Sequence, residues 1–164
     1  LEQFSERFPG TKGMASTVAM LYKSENNFYA AWVGDSRIYH IRKGEIIFQS
    51  KDHSYWQWML DRGMLDEPED VKKNEKFKKV ILQAVGGTNN LNPALCMLQD
   101  VQDEDYIVLV TDGILEAHTN QPLMNSFKTE KNNEEILQEI ISLCHEKSED
   151  NFSTYILKIS NNNS

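Results

Sequence analysis

Three aspartates stand beside stretches that read as β-strands. Asp35 follows Trp32-Val33-Gly34, Asp112 follows Val110-Thr111, and Asp150 sits in Glu149-Asp150-Asn151 ahead of the last strand-like run. Strands of one sheet can bring such carboxylates together at a shared rim. Convergent carboxylates hold hard ions such as Mg2+ or Mn2+, which want oxygen ligands and keep several of their waters. Taken singly, each of the three is an ordinary turn or cap aspartate, a common use of this residue. The remaining reactive side chains point nowhere as specific. His40, His118 and His145 show no paired spacing for zinc. His53, ahead of a helix, reads as a structural residue that satisfies loop backbone groups. No Ser-His-Asp constellation accompanies Ser36, so its hydroxyl reads as a turn or cap group and not a nucleophile. Cys96 and Cys144 are far apart, lack metal-type spacing and read as buried free thiols in a reducing compartment.

The elements that must position these residues follow from local pattern. Thr17 to Tyr22 and Phe28 to Val33 are short, apolar and rich in β-formers, and Ser24-Glu25-Asn26-Asn27 turns between them. Ile38 to Ile41 and Ile46 to Phe48 flank Arg42-Lys43-Gly44-Glu45, a second hairpin in which Gly44 supplies a positive φ. Tyr55 to Arg62 reads as a helix capped by Ser54 and ending at Gly63, with Trp56 and Trp58 on different sides and one of them in the core. Residues 66–79 are highly charged, half helix and half exposed loop. Tyr106 to Val110 is a continuous apolar run, expected of a fully buried strand that enters a loop at Thr111-Asp112-Gly113. Asn133 to Lys147 is the clearest helix, with Ile136, Leu137, Ile140, Ile141 and Cys144 at three- and four-residue spacing. Thr154 to Ile159 closes the chain as a strand, and 161–164 is a polar tail. Hairpins, then helices, then isolated strands predict an α+β domain whose antiparallel sheets are covered by helices.

In order along the chain come Gly34-Asp35-Ser36-Arg37, Lys51-Asp52-His53-Ser54, Leu82 to Gly87, Thr111-Asp112-Gly113 and Asp150-Asn151. This series resembles the later motifs of the metal-dependent serine/threonine protein phosphatases of type 2C. Gly13-Met14-Ala15-Ser16-Thr17 is a looser match to the small, hydroxyl-rich segment that opens this region in the family. The resemblance runs from about Gly13 to Ile159. It implies two stacked antiparallel β-sheets flanked by helices, with a metal centre of two ions, and a third in bacterial members, at one end. Asp112 and Asp150 would be metal ligands, and Asp35 would help hold the third ion together with Asp112. Gly34, Ser36, Arg37, His53, Gly113 and Asn151 belong to the motifs in structural roles, Arg37 by bracing the acidic rim with bidentate pairing. The implied function is hydrolysis of phosphoserine and phosphothreonine monoesters on phosphorylated proteins by a metal-activated water, with Mg2+ or Mn2+ as cofactor.

The family's first motifs have no counterpart: an early acidic residue, the Asp-Gly-x-Gly-Gly aspartate that bridges the metals, and a phosphate-binding arginine. Only 34 residues precede Asp35, and none is Asp. The expectation is one N-terminally incomplete domain over 1–164 that lacks its first strands. The alternative is a non-catalytic pseudophosphatase or interaction module. The segment 63–79 corresponds to a variable flap, and its Lys72, Lys73, Lys76, Lys78 and Lys79 read as a solvated helix face or as a contact for an acidic or phosphorylated peptide.

Composition narrows the partners. The net charge is −8, with 26% charged and 40% hydrophobic residues, a globular balance. A chain this acidic, without a basic block, is a poor nucleic-acid binder and is repelled by an anionic membrane surface. No apolar run approaches the length of a membrane span, and Leu1 to Arg7 carries no signal-peptide pattern, so the expected location is cytoplasmic.

Overall fold

A computed structural model describes all residues except 1, 12, 26, 87–90, 119, 129–130 and 161–164. The N-terminal stretch forms helix α1 (Glu2–Arg7) and a 3-10 turn over Pro9–Thr11. Strands β1 (Val18–Ser24), β2 (Asn27–Val33) and β5 (Ala94–Leu98) make a three-stranded sheet in the order β1-β2-β5. Strands β3 (Arg37–Arg42), β4 (Glu45–Gln49), β6 (Tyr106–Val110) and β7 (Thr154–Lys158) make a second sheet in the order β4-β3-β6-β7. Every pairing is antiparallel. The sequence reading left out β5, whose Ala-Leu-Cys-Met-Leu run has neither strict alternation nor β-branched residues to mark it.

Two cores explain the layers. Between the sheets, Phe28, Ala30, Trp32 and Leu98 of the first sheet meet Ile38, Ile107 and Ile159 of the second. On the other face of the second sheet, Tyr39, Ile41, Tyr106, Val108 and Val110 pack against helices α4 (Asp112–Ala117), α5 (Asn120–Asn125) and α6 (Asn133–Lys147) through Ile114, Leu123, Phe127, Ile136 and Ile140. β6 therefore lies between two apolar layers, which is why it is apolar at every position instead of alternating. The helix cover is one-sided: on the outer face of the three-stranded sheet Met20, Tyr22 and Leu95 remain 50%, 58% and 71% exposed.

Helix α6 has the predicted bounds, and an Asn132–Glu135 capping box satisfies its first amides. Ser54 caps α2 (Tyr55–Leu60) by accepting from the Gln57 amide. Neither Trp56 nor Trp58 enters the core, contrary to expectation. Both are half-buried and Met59 fills the interior instead, while Trp58 stacks between Tyr55 and the Arg62 guanidinium. The charged segment is α3 (Pro68–Asn74) followed by a 3-10 turn over Glu75–Phe77. Both cysteines are free, Cys144 buried and Cys96 only half-buried. Among the described residues no helix is long and apolar enough to cross a membrane.

Candidate functional site

Strand register gathers the three aspartates. Arg37 of β3 pairs with Val110 of β6, which pairs with Thr154 of β7. Asp35 lies just before β3, Asp112 just after β6 and Asp150 just before β7, so all three lie at one end of the second sheet. The junctions are tightly fixed. The Thr111 amide donates to the Ser153 carbonyl (3.0 Å) and the Ser153 amide to Thr111 Oγ1 (2.9 Å). A Cβ on Gly113 would lie 2.5 Å from the Asn151 carbonyl oxygen, so the residue after Asp112 must be glycine for this approach to the residue after Asp150. Gly34, at φ +100°, presses against Thr17, whose Cγ2 would lie 2.3 Å from an added Cβ. The Thr17 and Ser36 hydroxyls share a 2.7 Å hydrogen bond, which ties the Asp35 loop to β1.

Asp112 is not in a loop, as the sequence suggested. It opens α4, and its Oδ1 accepts from the Gly113 amide (3.0 Å). A carboxylate in the first turn of a helix is favourably placed toward the exposed amides. The Asp150 Oδ1 accepts from the Asn151 amide at 2.7 Å.

The electrostatics bind these groups into one site. Burial pushes the Asp35 carboxyl above the usual carboxylate range, the Asp112 carboxylate pushes it further and Asp52 adds to this, while its own backbone amide and Arg37 oppose them. Arg37 forms a bidentate pair with Asp52 through Nε and Nη2, both at 2.8 Å. Burial works against its charge, but the Asp52 bonds outweigh burial and hold the guanidinium protonated. The His53 amide donates to the Gly34 carbonyl (2.8 Å) and the Gly34 amide donates to His53 Nδ1 (3.3 Å). Nδ1 is thus the unprotonated nitrogen, and burial lowers the imidazole pKa despite the nearby Asp52. Lys79 pairs with Glu116 of α4, and Glu116, then Asp150 and Asp112, raise its pKa.

Among the described residues no group of three or more His, Cys, Asp or Glu side chains is arranged to hold a metal ion. The three aspartates share a rim without forming a three-carboxylate cage: each leaves a different element, and Asp112 and Asp150 each accept from the amide of the following residue. Sequence reasoning missed Glu116 and the pairings that Asp52 and Lys79 make. Asp52 was visible as the acid beside His53 but its partner, 15 residues away, was not. Lys79 and Glu116 meet only through the fold. The other flap lysines fit a solvated face: Lys78 pairs with Glu75, and Lys72 and Lys73 are exposed on α3. Gly87 of the Leu82 to Gly87 motif lies outside the described residues, and Val85 within it bridges to Ser16.

The protein phosphatase 2C family matches residues 3–55. A putative protein phosphatase 2C-type from Streptococcus pyogenes is 26% identical over 134 residues, covering 82% of this chain and 53% of the relative. The chain thus spans about half the length of that relative. The structure of the S. agalactiae serine/threonine phosphatase is 26% identical, with a TM-score of 0.83 over 96% of this chain and 64% of that one. The catalytic domain of the phosphatase PstP, crystallised in complex with two manganese ions, shares the fold at 23% identity, with a TM-score of 0.80 over 97% of this chain and 65% of that one. The chain thus resembles the protein phosphatase 2C family over residues 3–55, and over nearly its whole length it shares the fold of solved serine/threonine phosphatases.

Proposed function

We propose that this chain is part of the catalytic domain of a metal-dependent serine/threonine protein phosphatase, acting on phosphoserine and phosphothreonine monoesters of phosphorylated proteins in the cytoplasm. The observation that carries this reading is the shared rim of Asp35, Asp112 and Asp150. Its residues fit a divalent cation in one specific sense: burial and, after it, the Asp112 carboxylate raise the Asp35 pKa, and a cation between the two carboxylates would relieve their repulsion. Mg2+ or Mn2+ held there would supply Lewis-acid activation of water and charge neutralisation at phosphorus. Asp35 and Asp112 would hold one ion, with Asp150 across the Gly113–Asn151 contact. Arg37 and Asp52 brace the loop that carries Asp35, and His53 holds Gly34 beneath it. The manganese ions of the PstP domain support this choice of metal.

The second reading, a non-catalytic module with the same fold, is favoured by one observation: no three-ligand group exists among the described residues. Counting bound Mn2+ by electron paramagnetic resonance tests the first reading. The expected result is weak Mn2+ binding that Asp112→Asn abolishes. Absence of binding, or binding indifferent to that substitution, would overturn it. Hydrolysis of a phosphothreonine peptide in millimolar Mn2+ then tests whether the site of this chain is complete by itself. For this chain alone, turnover is expected near background, because each missing pre-organised group costs a factor of about 10²–10³. Robust turnover that is lost in Asp112→Asn would show a site completed by other residues of this chain.

A further inference from the structure

The end of the second sheet opposite the aspartates carries a site of the opposite charge. β3 ends at Arg42, β6 begins at Tyr106 and β7 ends at Lys158, so the turn after β3 shares a rim with both. A cavity of 600 Å³ opens there, against the segment that leads into α6, and Lys43, Lys128, Lys131 and Lys158 all line it. Tyr106 and Phe127, buried and with ring centroids 5.2 Å apart, provide its apolar wall. This size suits a small-molecule ligand.

Four ammonium groups around one cavity are unexpected on a chain of net charge −8. Lys158 pairs with Glu104 and Lys131 with Glu139, each at 2.6 Å. Glu104 alone among the described carboxylates lines the cavity. Lys43 and Lys128, both exposed, have no carboxylate partner among the described residues, and the β3–β4 turn sets where their side chains start. Gly44 sits at φ +75°, and a Cβ there would lie 2.1 Å from Lys128 Cγ, so the Lys128 stem crosses the β3–β4 turn only because that residue is glycine. Lys43, just before it, occupies the left-handed region at φ +51°, uncommon for a long side chain.

We infer that this cavity binds a condensed phosphate chain, independently of any phosphatase activity. Ammonium groups are compact point charges with rotatable donors, suited to oxygens spread along a chain. A single phosphate group carries about −2 at neutral pH, which Lys43 and Lys128 alone would neutralise. Lys131 and Lys158, each paired with a carboxylate, add N–H donors spread along the cavity instead of net charge, and a di- or triphosphate has oxygens to reach them that a single phosphate lacks. The chain can come from inorganic pyrophosphate or from a nucleoside diphosphate whose base meets the Tyr106 and Phe127 wall.

Isothermal titration of the purified protein in metal-free, low-salt buffer tests this with pyrophosphate, inorganic phosphate and ADP. Pyrophosphate should bind at least about tenfold more tightly than phosphate, a difference readily resolved. The double substitution Lys43→Gln with Lys128→Gln, which keeps most of both stems, should weaken it by about tenfold or more. In the unmodified protein, pyrophosphate should shift the backbone amide resonances of Gly44 and Lys128 and leave that of Gly113 in place. ADP binding more tightly than pyrophosphate identifies a nucleotide as the source, and equal or weaker binding identifies the inorganic chain. Pyrophosphate binding no better than phosphate, binding indifferent to the double substitution, or resonance shifts confined to the aspartate rim would each overturn the inference.

Discussion

Asp35 carries the electrostatic tension of the aspartate rim. Its folded-state pKa is raised by burial and by Asp112, so its contribution to stability is present below the ordinary carboxylate range and is lost as pH rises through the raised value. At neutral pH the metal-free protein keeps this carboxyl at a cost. Asp35→Asn is therefore expected to raise the thermal midpoint in chelator at pH 7 and to abolish the further rise that Mn2+ gives the unmodified protein. A melt by differential scanning fluorimetry reads both, and a lowered midpoint in chelator would show that Asp35 is a structural cap instead. Gly113 sets the approach of the two neighbouring aspartate loops. Gly113→Ala forces a Cβ into the Asn151 carbonyl and is expected to destabilise by about 1–3 kcal/mol, the usual range for overpacking, with loss of Mn2+ binding. Chemical denaturation gives the first quantity and metal titration the second.

At the scale of elements, the second sheet is held at its other end by a buried ion network. Asp105, fully buried before β6, accepts from Arg42 Nε (2.8 Å) and Nη2 (2.9 Å), from the Gln102 amide (2.8 Å) and from His40 Nε2 (2.7 Å). Burial pushes its carboxyl up, but the Arg42, Gln102 and His40 bonds together outweigh it and hold the pKa below the usual range. The stability it contributes is thus present above the ordinary aspartate range and lost as pH falls through the lowered value. Asp105→Ala leaves Arg42 without its main buried partner and is expected to cost about 3–5 kcal/mol, as broken buried pairs do. The midpoint of the variant should also fall less steeply between pH 5 and pH 3 than that of the unmodified protein. Parallel pH curves would show that the network is not what acid titrates.

At the scale of the whole molecule, the described residues leave one side uncovered. β1 and β7 are each the edge of their sheet, and a groove of 370 Å³ lined by Thr17, Ala19, Leu109, Val110 and Tyr155 opens between them. The adjacent sheet face exposes Met20, Tyr22 and Leu95. Unpaired strand edges beside apolar surface template association. The purified chain is expected to form dimers or larger species at micromolar concentration, measurable by light scattering after gel filtration. Met20→Lys with Leu95→Lys should return it to the monomer. A monomeric unmodified chain would mean that the exposed face is too small or too twisted to pair.

Much of this protein was legible in its residues alone. Short runs of β-formers bounded by turn residues marked six of the strands, and a 3.6 period marked helix α6, because composition and one-sided burial are properties of a single element. The five motifs and their order pointed to the family and to Asp35, Asp112 and Asp150, since short loop motifs at strand ends are local in sequence. What stayed hidden was decided between elements. β5 is a strand only because β2 offers it a partner, and α4 begins at Asp112 only because Ile114 has a core to enter. Arg37 with Asp52, His40 with Asp105 and Lys79 with Glu116 are 15, 65 and 37 residues apart. The four lysines of the far cavity lie on three separate segments. Charge pairing and cavity shape depend on distances in space, and sequence spacing fixes those only within one helix or strand; the register of β3, β6 and β7 set the rest.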